Sequence, residues 1–226
     1  MNLIDTLKLW DTNLFLFING IHAPFFDSFM FAVSEKLTWI PLYVSVLFVL
    51  VKCWKKEAIW LIIAFILCIV ISDQVSSGLI KHLVQRLRPS HAEDLKGLVH
   101  LVHSYSGGKF GFVSSHASNA FGFALLSSLI FKRKNFTWFI FAWATITAYS
   151  RIYLGVHYPL DVLGGIIVGV LAALACYWTI KKLRPSLIRY DDENYIIEKS
   201  TLIIPVSVLI LSFIAIIVYS LIHLSQ

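Results

Sequence analysis

Charge is scarce in this sequence. Asp, Glu, Lys and Arg make up 14% of its 226 residues, against about 25% in soluble domains, which excludes a soluble enzyme of ordinary type. A disordered chain is excluded by the opposite surplus, because 58% of the residues are hydrophobic. Cysteine is equally thin. Cys53, Cys68 and Cys176 lie in or beside apolar blocks without metal-ligand spacing, so they read as packing residues and identify no redox compartment. The opening run MNLIDTLKLWDTNLFLF lacks a basic stretch before its apolar part and a small-residue cleavage site, so no cleaved signal peptide is expected. No internal repeat is evident.

What is present falls in long apolar blocks, at 58–71, 136–149, 162–180 and 202–224. A helix needs roughly 20 mostly apolar residues to cross a bilayer. The pattern predicts spans near 38–52, 57–79, 116–131, 135–150, 160–180 and 202–224. Residues 1–36 form an aromatic-rich segment broken at Asn19-Gly20 and Ala23-Pro24, which either crosses or lies in the interface. The expected fold is all-α: a polytopic transmembrane bundle of about six core helices plus an extra C-terminal helix. Three units follow: a membrane-embedded domain at 1–183, a polar cytoplasmic linker at 184–200 carrying Asp191-Asp192-Glu193, and a C-terminal helix at 201–226.

The net charge of +6 is better explained by topology than by nucleic acid, which is not expected as a partner. Lys52, Lys55 and Lys56, then Lys132-Arg133-Lys134, then Lys181, Lys182 and Arg184 all fall on one face by alternation, the cytoplasmic one by the positive-inside rule. Segments 80–115 and 150–160 then share the outer face. Lys81, Arg86, Arg88 and Arg151 sit there against the trend, and a bound anion would account for them.

Three groups of residues on that face carry chemistry. Lys81 and Arg88 are seven residues apart, about two helical turns and hence one face, and Pro89 marks a helix end. Two cations there suit a phosphate; the alternative is basic side chains snorkelling to the interface. Next, Ser114-Ser115-His116 leads into a span, where a serine caps the helix and the helix N-terminus favours anions. Last, Ser150-Arg151 is followed by His157 and Asp161. A carboxylate accepting one imidazole N–H leaves the other ring nitrogen free to attack, unless the two are only an ion pair between spans.

Lys-x6-Arg-Pro, then Ser-x-His, then Ser-Arg-x5-His-x3-Asp, in this order, resembles the three-part signature of the type-2 phosphatidic acid phosphatase superfamily, which includes membrane lipid phosphatases and is related to vanadium haloperoxidases. The likeness covers about residues 11–183, counting a family-like pattern of Asp11, Phe15, Asn19 and Asp27. One departure is visible: the second motif usually reads Pro-Ser-Gly-His, and here Val113 and Ser115 replace the proline and glycine.

The resemblance implies that His157 attacks phosphorus and forms a phosphohistidine, that Asp161 orients it, and that His116 protonates the leaving oxygen. Lys81, Arg88, Arg151 and Ser114, with the Ser115 backbone N–H, would hold the phosphoryl oxygens. Three fixed cations do the work of a divalent ion, so no metal or other cofactor is expected. The implied activity is hydrolysis of a lipid phosphate or pyrophosphate: polyprenyl pyrophosphate, phosphatidylglycerophosphate, phosphatidate or a lipid A phosphate. Transfer of the phosphoryl to a second lipid is the alternative, and anion transport a more distant one. The expected location is a bacterial cytoplasmic (inner) membrane, with the site facing outward to the periplasm.

Two further expectations concern segment 91–103. Leu95, Leu98, Val99 and Val102 follow i, i+3, i+4, i+7 spacing and predict an amphipathic helix in the interface, either a lid or a simple cover. His82, His91, His100 and His103 match no compact metal-ligand motif. His22 and His223 read as interfacial.

Overall fold

The computed structural model describes residues 3–188 and 199–224. All regular elements among these residues are helical: α1 (Leu3–Asn19), α2 (Pro24–Ser34), α3 (Ile40–Trp54), α4 (Ala58–Asp73), α5 (Lys81–Val84), α6 (Ser115–Phe131), α7 (Lys134–Tyr153), α8 (Pro159–Leu183) and α9 (Lys199–Leu224). A π-helical stretch, Gln74–Ile80, joins α4 to α5. Each apolar block expected to span corresponds to one long helix.

Among the described residues, three stretches are long and apolar enough to cross a membrane: Lys36–Val84, which contains α3 and α4, Pro159–Leu183 and Ser200–Leu224. Their outer faces expose Ile66, Leu171, Trp178 and Leu211, as a lipid solvent requires. α6 is shorter, at 17 residues, and its buried residues include Ser118 and Ser127 as well as Phe123 and Leu126. It packs on α4, α7 and α8, so its polar side chains meet protein rather than lipid. α1 and α2 bend by 117° at the Asn19–Pro24 break and do not form one straight span.

Close approach of α6 and α8 sets the centre of the bundle. A Cβ on Gly169 would lie 2.1 Å from the Ser118 carbonyl oxygen, and one on Gly165 would lie 2.3 Å from that of Ser114. Only glycine lets these backbones touch, the small-residue packing typical of membrane helices. This contact places the start of α6 beside the start of α8, where the Ser114 N–H donates to the Asp161 carbonyl at 2.8 Å. Cys68 and Cys176 are buried and Cys53 is half-buried, and none of the three forms a disulfide.

α9 is no loose anchor. It packs on α2, α3 and α7, with Phe213 5.3 Å from the Trp39 ring centroid. The chain before it is partly packed as well: Leu187 and Ile188 are buried, and Trp54 Nε1 donates to the Leu187 carbonyl at 3.2 Å. The expected linker therefore begins as part of the bundle, while Asp191-Asp192-Glu193 lies outside the described residues.

Segment 91–103 departs from expectation. It is a folded loop with short 3-10 turns at Pro89–His91, Glu93–Leu95 and Val102–Ser104, not an amphipathic helix. Gly97 at φ +80° and His103 at φ +50° break any helical run, because left-handed backbone cannot continue one. Leu95 and Val102 are buried, whereas Leu98 is 63% exposed. The apolar spacing thus reflects separate anchors into the bundle.

Candidate active site

The site is built where α5, α6, α7 and α8 end or begin on one side of the bundle. α7 stops at Tyr153, Gly155 turns at φ +75°, and Pro159 starts α8, leaving His157 between the two helices. His157 is 1% exposed and Asp161 0%. Their contact, Nδ1 to Oδ2, spans 3.4 Å, at the long end of a hydrogen bond and typical of a catalytic pair before substrate tightens it. Asp161 faces Nδ1, so Nε2 is the nitrogen left for chemistry.

Asp161 is held on every side. Its Oδ2 accepts the Tyr158 N–H at 3.1 Å, and its Oδ1 accepts Arg86 Nη1 at 3.0 Å. Arg86 also reaches Asp11 Oδ2 at 2.7 Å and lies 3.9 Å over the Tyr158 ring. Asp11 in turn accepts the Leu160 N–H at 2.9 Å, which satisfies a free donor at the start of α8. Arg86 therefore serves a carboxylate pair behind the histidine. The sequence marks Arg86 as a cation on this face but not as a site residue, because its carboxylate partners Asp11 and Asp161 are distant in the chain. Asp11 lies one and two helical turns from Phe15 and Asn19, and these three are the buried residues of α1.

The other cations converge on the same point. Arg151 is 2% exposed; one amino group donates to Ser34 Oγ and the other to the Tyr105 hydroxyl at 3.1 Å. Arg88 donates from Nε to the Phe110 carbonyl at 3.1 Å, and Gly107 makes room for its head, where a Cβ would lie 2.3 Å from Nη1. Arg88 Nη1 and Arg151 Nε are buried without a hydrogen-bond partner among the described residues, donors that a phosphoryl oxygen would satisfy. Lys81 stands within electrostatic range of Arg88, Arg151 and Asp161.

Burial, reinforced by Arg88, Arg151 and Lys81, holds the His157 imidazole well below its ordinary value, so it is neutral and nucleophilic near pH 7. Arg88 is itself pushed down by burial and by Arg151. Burial pushes the Tyr158 phenol up to about 12, leaving it a neutral platform under Arg86.

Ser114 caps α6, its side chain accepting the Ala117 N–H at 3.4 Å. Ser115 and His116 form the first turn, half-buried, and His116 is an electrostatic neighbour of His157. His116 also lines a cavity of about 710 Å³ that runs between α3, α4, α6 and α7. Ser34, Lys36, Asp73 and Gln74 line it together with His116; Trp39, Tyr43, Phe65 and Trp143 line its apolar part. Lys36 and Tyr105 were not anticipated. Neither belongs to a local pattern, and only folding brings Tyr105 to Arg151 and Lys36 into the cavity that His116 lines.

The family model of the PAP2 superfamily matches residues 57–185. The chain is 41% identical over 187 residues to a lipid A 4'-phosphatase of Bacteroides thetaiotaomicron, covering 82% of this chain and 83% of that one. It is 40% identical over 168 residues to a lipid A 4'-phosphatase of Porphyromonas gingivalis, covering 74% and 71%. The crystal structure of Aquifex aeolicus LpxE superposes with a TM-score of 0.58 at 25% identity, covering 73% of this chain and 93% of that one.

Proposed function

The chain belongs to the PAP2 superfamily, and from that premise we propose that it is a membrane lipid phosphatase that hydrolyses a phosphate monoester on a lipid A-type glycolipid. One observation carries the reading. A buried neutral imidazole is backed by a carboxylate and surrounded by Lys81, Arg88, Arg151 and His116. Anion binding alone needs the cations; it has no use for the nucleophile.

In the first step His157 Nε2 bonds to phosphorus while the P–O ester bond breaks. The leaving oxygen takes a proton from His116. The imidazolium-like phosphohistidine is steadied by Asp161. Water then attacks phosphorus, His116 takes back a proton, the P–N bond breaks and inorganic phosphate leaves. Arg88, Arg151 and Lys81 hold the three equatorial oxygens, where charge accumulates. The incoming phosphate offsets the cations around His116 and lets it carry its proton. Turnover in this scheme needs no metal at the phosphate.

The cavity beside His116 supports a lipid substrate, since its polar rim suits a sugar headgroup and its aromatic wall suits an acyl chain. An outward-facing site is supported by the basic residues at the opposite helix ends. Lys132 Nζ reaches the Ile188 carbonyl at 3.4 Å, and Arg184 lies 4.4 Å over the Trp60 ring.

The test is phosphate release by the purified protein in detergent micelles from lipid A, polyprenyl pyrophosphate, phosphatidylglycerophosphate and phosphatidate. The expected result is fastest release from lipid A, persisting in EDTA and abolished with the phosphoenzyme in His157→Ala. Wild-type turnover by His157→Ala, or activity lost in EDTA and restored by Mg²⁺, refutes the mechanism. Faster release from another lipid overturns the substrate assignment.

A further inference from the structure

A second cluster of chemistry-bearing side chains lies outside the phosphate site, at the α1–α2 turn. His22, Asp27 and His100 each offer a ligand atom, and these atoms all lie within 4.8 Å of one another. His100 Nε2 sits 3.0 Å from Asp27 Oδ1, and the His22 and His100 rings stack at 3.7 Å with 2° between their planes. Two ligands on one tetrahedral ion, each at about 2.0–2.1 Å, stand about 3.4 Å apart. The cluster is therefore already close to the span of a first coordination shell.

The surroundings are those of an oriented site. The Tyr153 hydroxyl donates to Asp27 Oδ1 at 2.7 Å, the outer hydrogen bond that aims a ligating carboxylate. His100 is clamped through its backbone: its N–H donates to Asn19 Oδ1 at 2.8 Å, and its carbonyl accepts Asn19 Nδ2 at 3.0 Å. His22 is exposed, while Asp27 and His100 are half-buried. The outer ligand is thus free to turn its ring toward an ion, and a water can fill the fourth position.

We propose that His22, Asp27 and His100 form a structural site for a borderline divalent cation of the Zn²⁺ type. Two imidazoles and one carboxylate match such ions rather than Mg²⁺ or Ca²⁺, which prefer all-oxygen shells. The ion displaces the proton that His100 shares with Asp27 and draws the His22 ring out of its parallel stack. It takes no part in phosphoryl transfer.

Its position gives it a mechanical role. His22 and Asp27 belong to the α1–α2 turn and to the start of α2, and His100 to the loop folded over the site. Gly155, two residues before His157, lies against that loop: a Cβ there would meet the His100 carbonyl oxygen at 2.7 Å. Tyr153, which holds Asp27, is two residues from Arg151. An ion at this point braces the loop and the catalytic segment 151–157 against α1.

The experiment uses the full chain in detergent, with any affinity tag removed, stripped with EDTA and desalted. Zn²⁺ is titrated calorimetrically, and Co²⁺ is followed by the visible bands of a tetrahedral site. One equivalent is expected to bind at micromolar concentration, raising Tm by about 5–10 °C at a hundredfold excess over Kd. His22→Ala and His100→Gln should each weaken binding at least tenfold and lose most of the Tm rise. Hydrolysis of a soluble phosphate ester should be unchanged in His22→Ala. No binding to wild type, or equal binding to both variants, overturns the proposal and leaves a hydrogen-bonded clamp. The binding and Tm readouts do not depend on phosphatase activity, so failure of the functional reading would not be mistaken for failure here.

Discussion

Replacing Arg86 with methionine separates orientation of the nucleophile from binding of the phosphate. The methionine keeps most of the apolar stem over Tyr158 and removes the guanidinium that joins Asp11 at 2.7 Å to Asp161 at 3.0 Å. Two buried carboxylates are then left facing each other. Breaking a buried ion pair costs about 3–5 kcal/mol. The Arg86 side chain is 20% exposed, so water softens the loss to about 2–3 kcal/mol. At about 2–4 °C per kcal/mol for a chain of this size, Tm should fall by about 4–12 °C.

For catalysis the ceiling is the loss of the orienting charge itself, worth about 10⁴ in kcat for a His–Asp unit in another hydrolase. Arg86→Met keeps Asp161 and its Tyr158 contact, so a fall of about 10–10³ in kcat is expected. KM should stay within a few-fold, because Arg86 faces carboxylates rather than the phosphate. The assay is steady-state phosphate release with phosphoenzyme trapping, below the Tm of the variant. Adding Asp11→Asn should return part of the lost stability without returning the rate. A large rise in KM at unchanged kcat would refute the reasoning, since Arg86 would then be a phosphate ligand.

Two other expectations rest on the same geometry. With His157 held well below the ordinary imidazole value by burial and the neighbouring cations, protonation is disfavoured, and the acid limb of kcat/KM should lie well below pH 6.5. Arg88→Gln should move that limb upward while lowering kcat/KM overall; a wild-type limb at or above pH 6.5 would contradict the assignment. In the bundle, Gly169→Ala forces a methyl against the Ser118 carbonyl and should cost at least about 1–3 kcal/mol and reduce activity, because α6 and α8 carry His116 and Asp161. Gly108→Ala, where a Cβ meets nothing within 4 Å, is the control in thermal unfolding.

The sequence by itself determined the helices and supplied the candidate site residues. Runs such as 58–71 and 162–180 have few low-energy arrangements in a bilayer other than a helix, so segment order and fold class follow from hydropathy. His157 and Asp161 were legible because their partnership is local, four residues apart at the start of one helix. Lys81 and Arg88 were legible from the motif they form with Pro89, but not as one helical face. α5 ends at Val84, Gln85 turns at φ +51°, and Arg88 is extended backbone outside the helix. Tertiary structure decided everything that depends on distant segments meeting. The Asp11–Arg86–Asp161 bridge joins residues up to 150 positions apart, and His22 meets His100 only because Asn19 ties the loop to α1. In segment 91–103 the helical spacing misled, because Gly97 and His103 take left-handed backbone while Leu95 and Val102 are buried as separate anchors. Periodicity reports the face a residue shows to its neighbours; which neighbour fills that face is set by packing between chain segments that hydropathy does not connect.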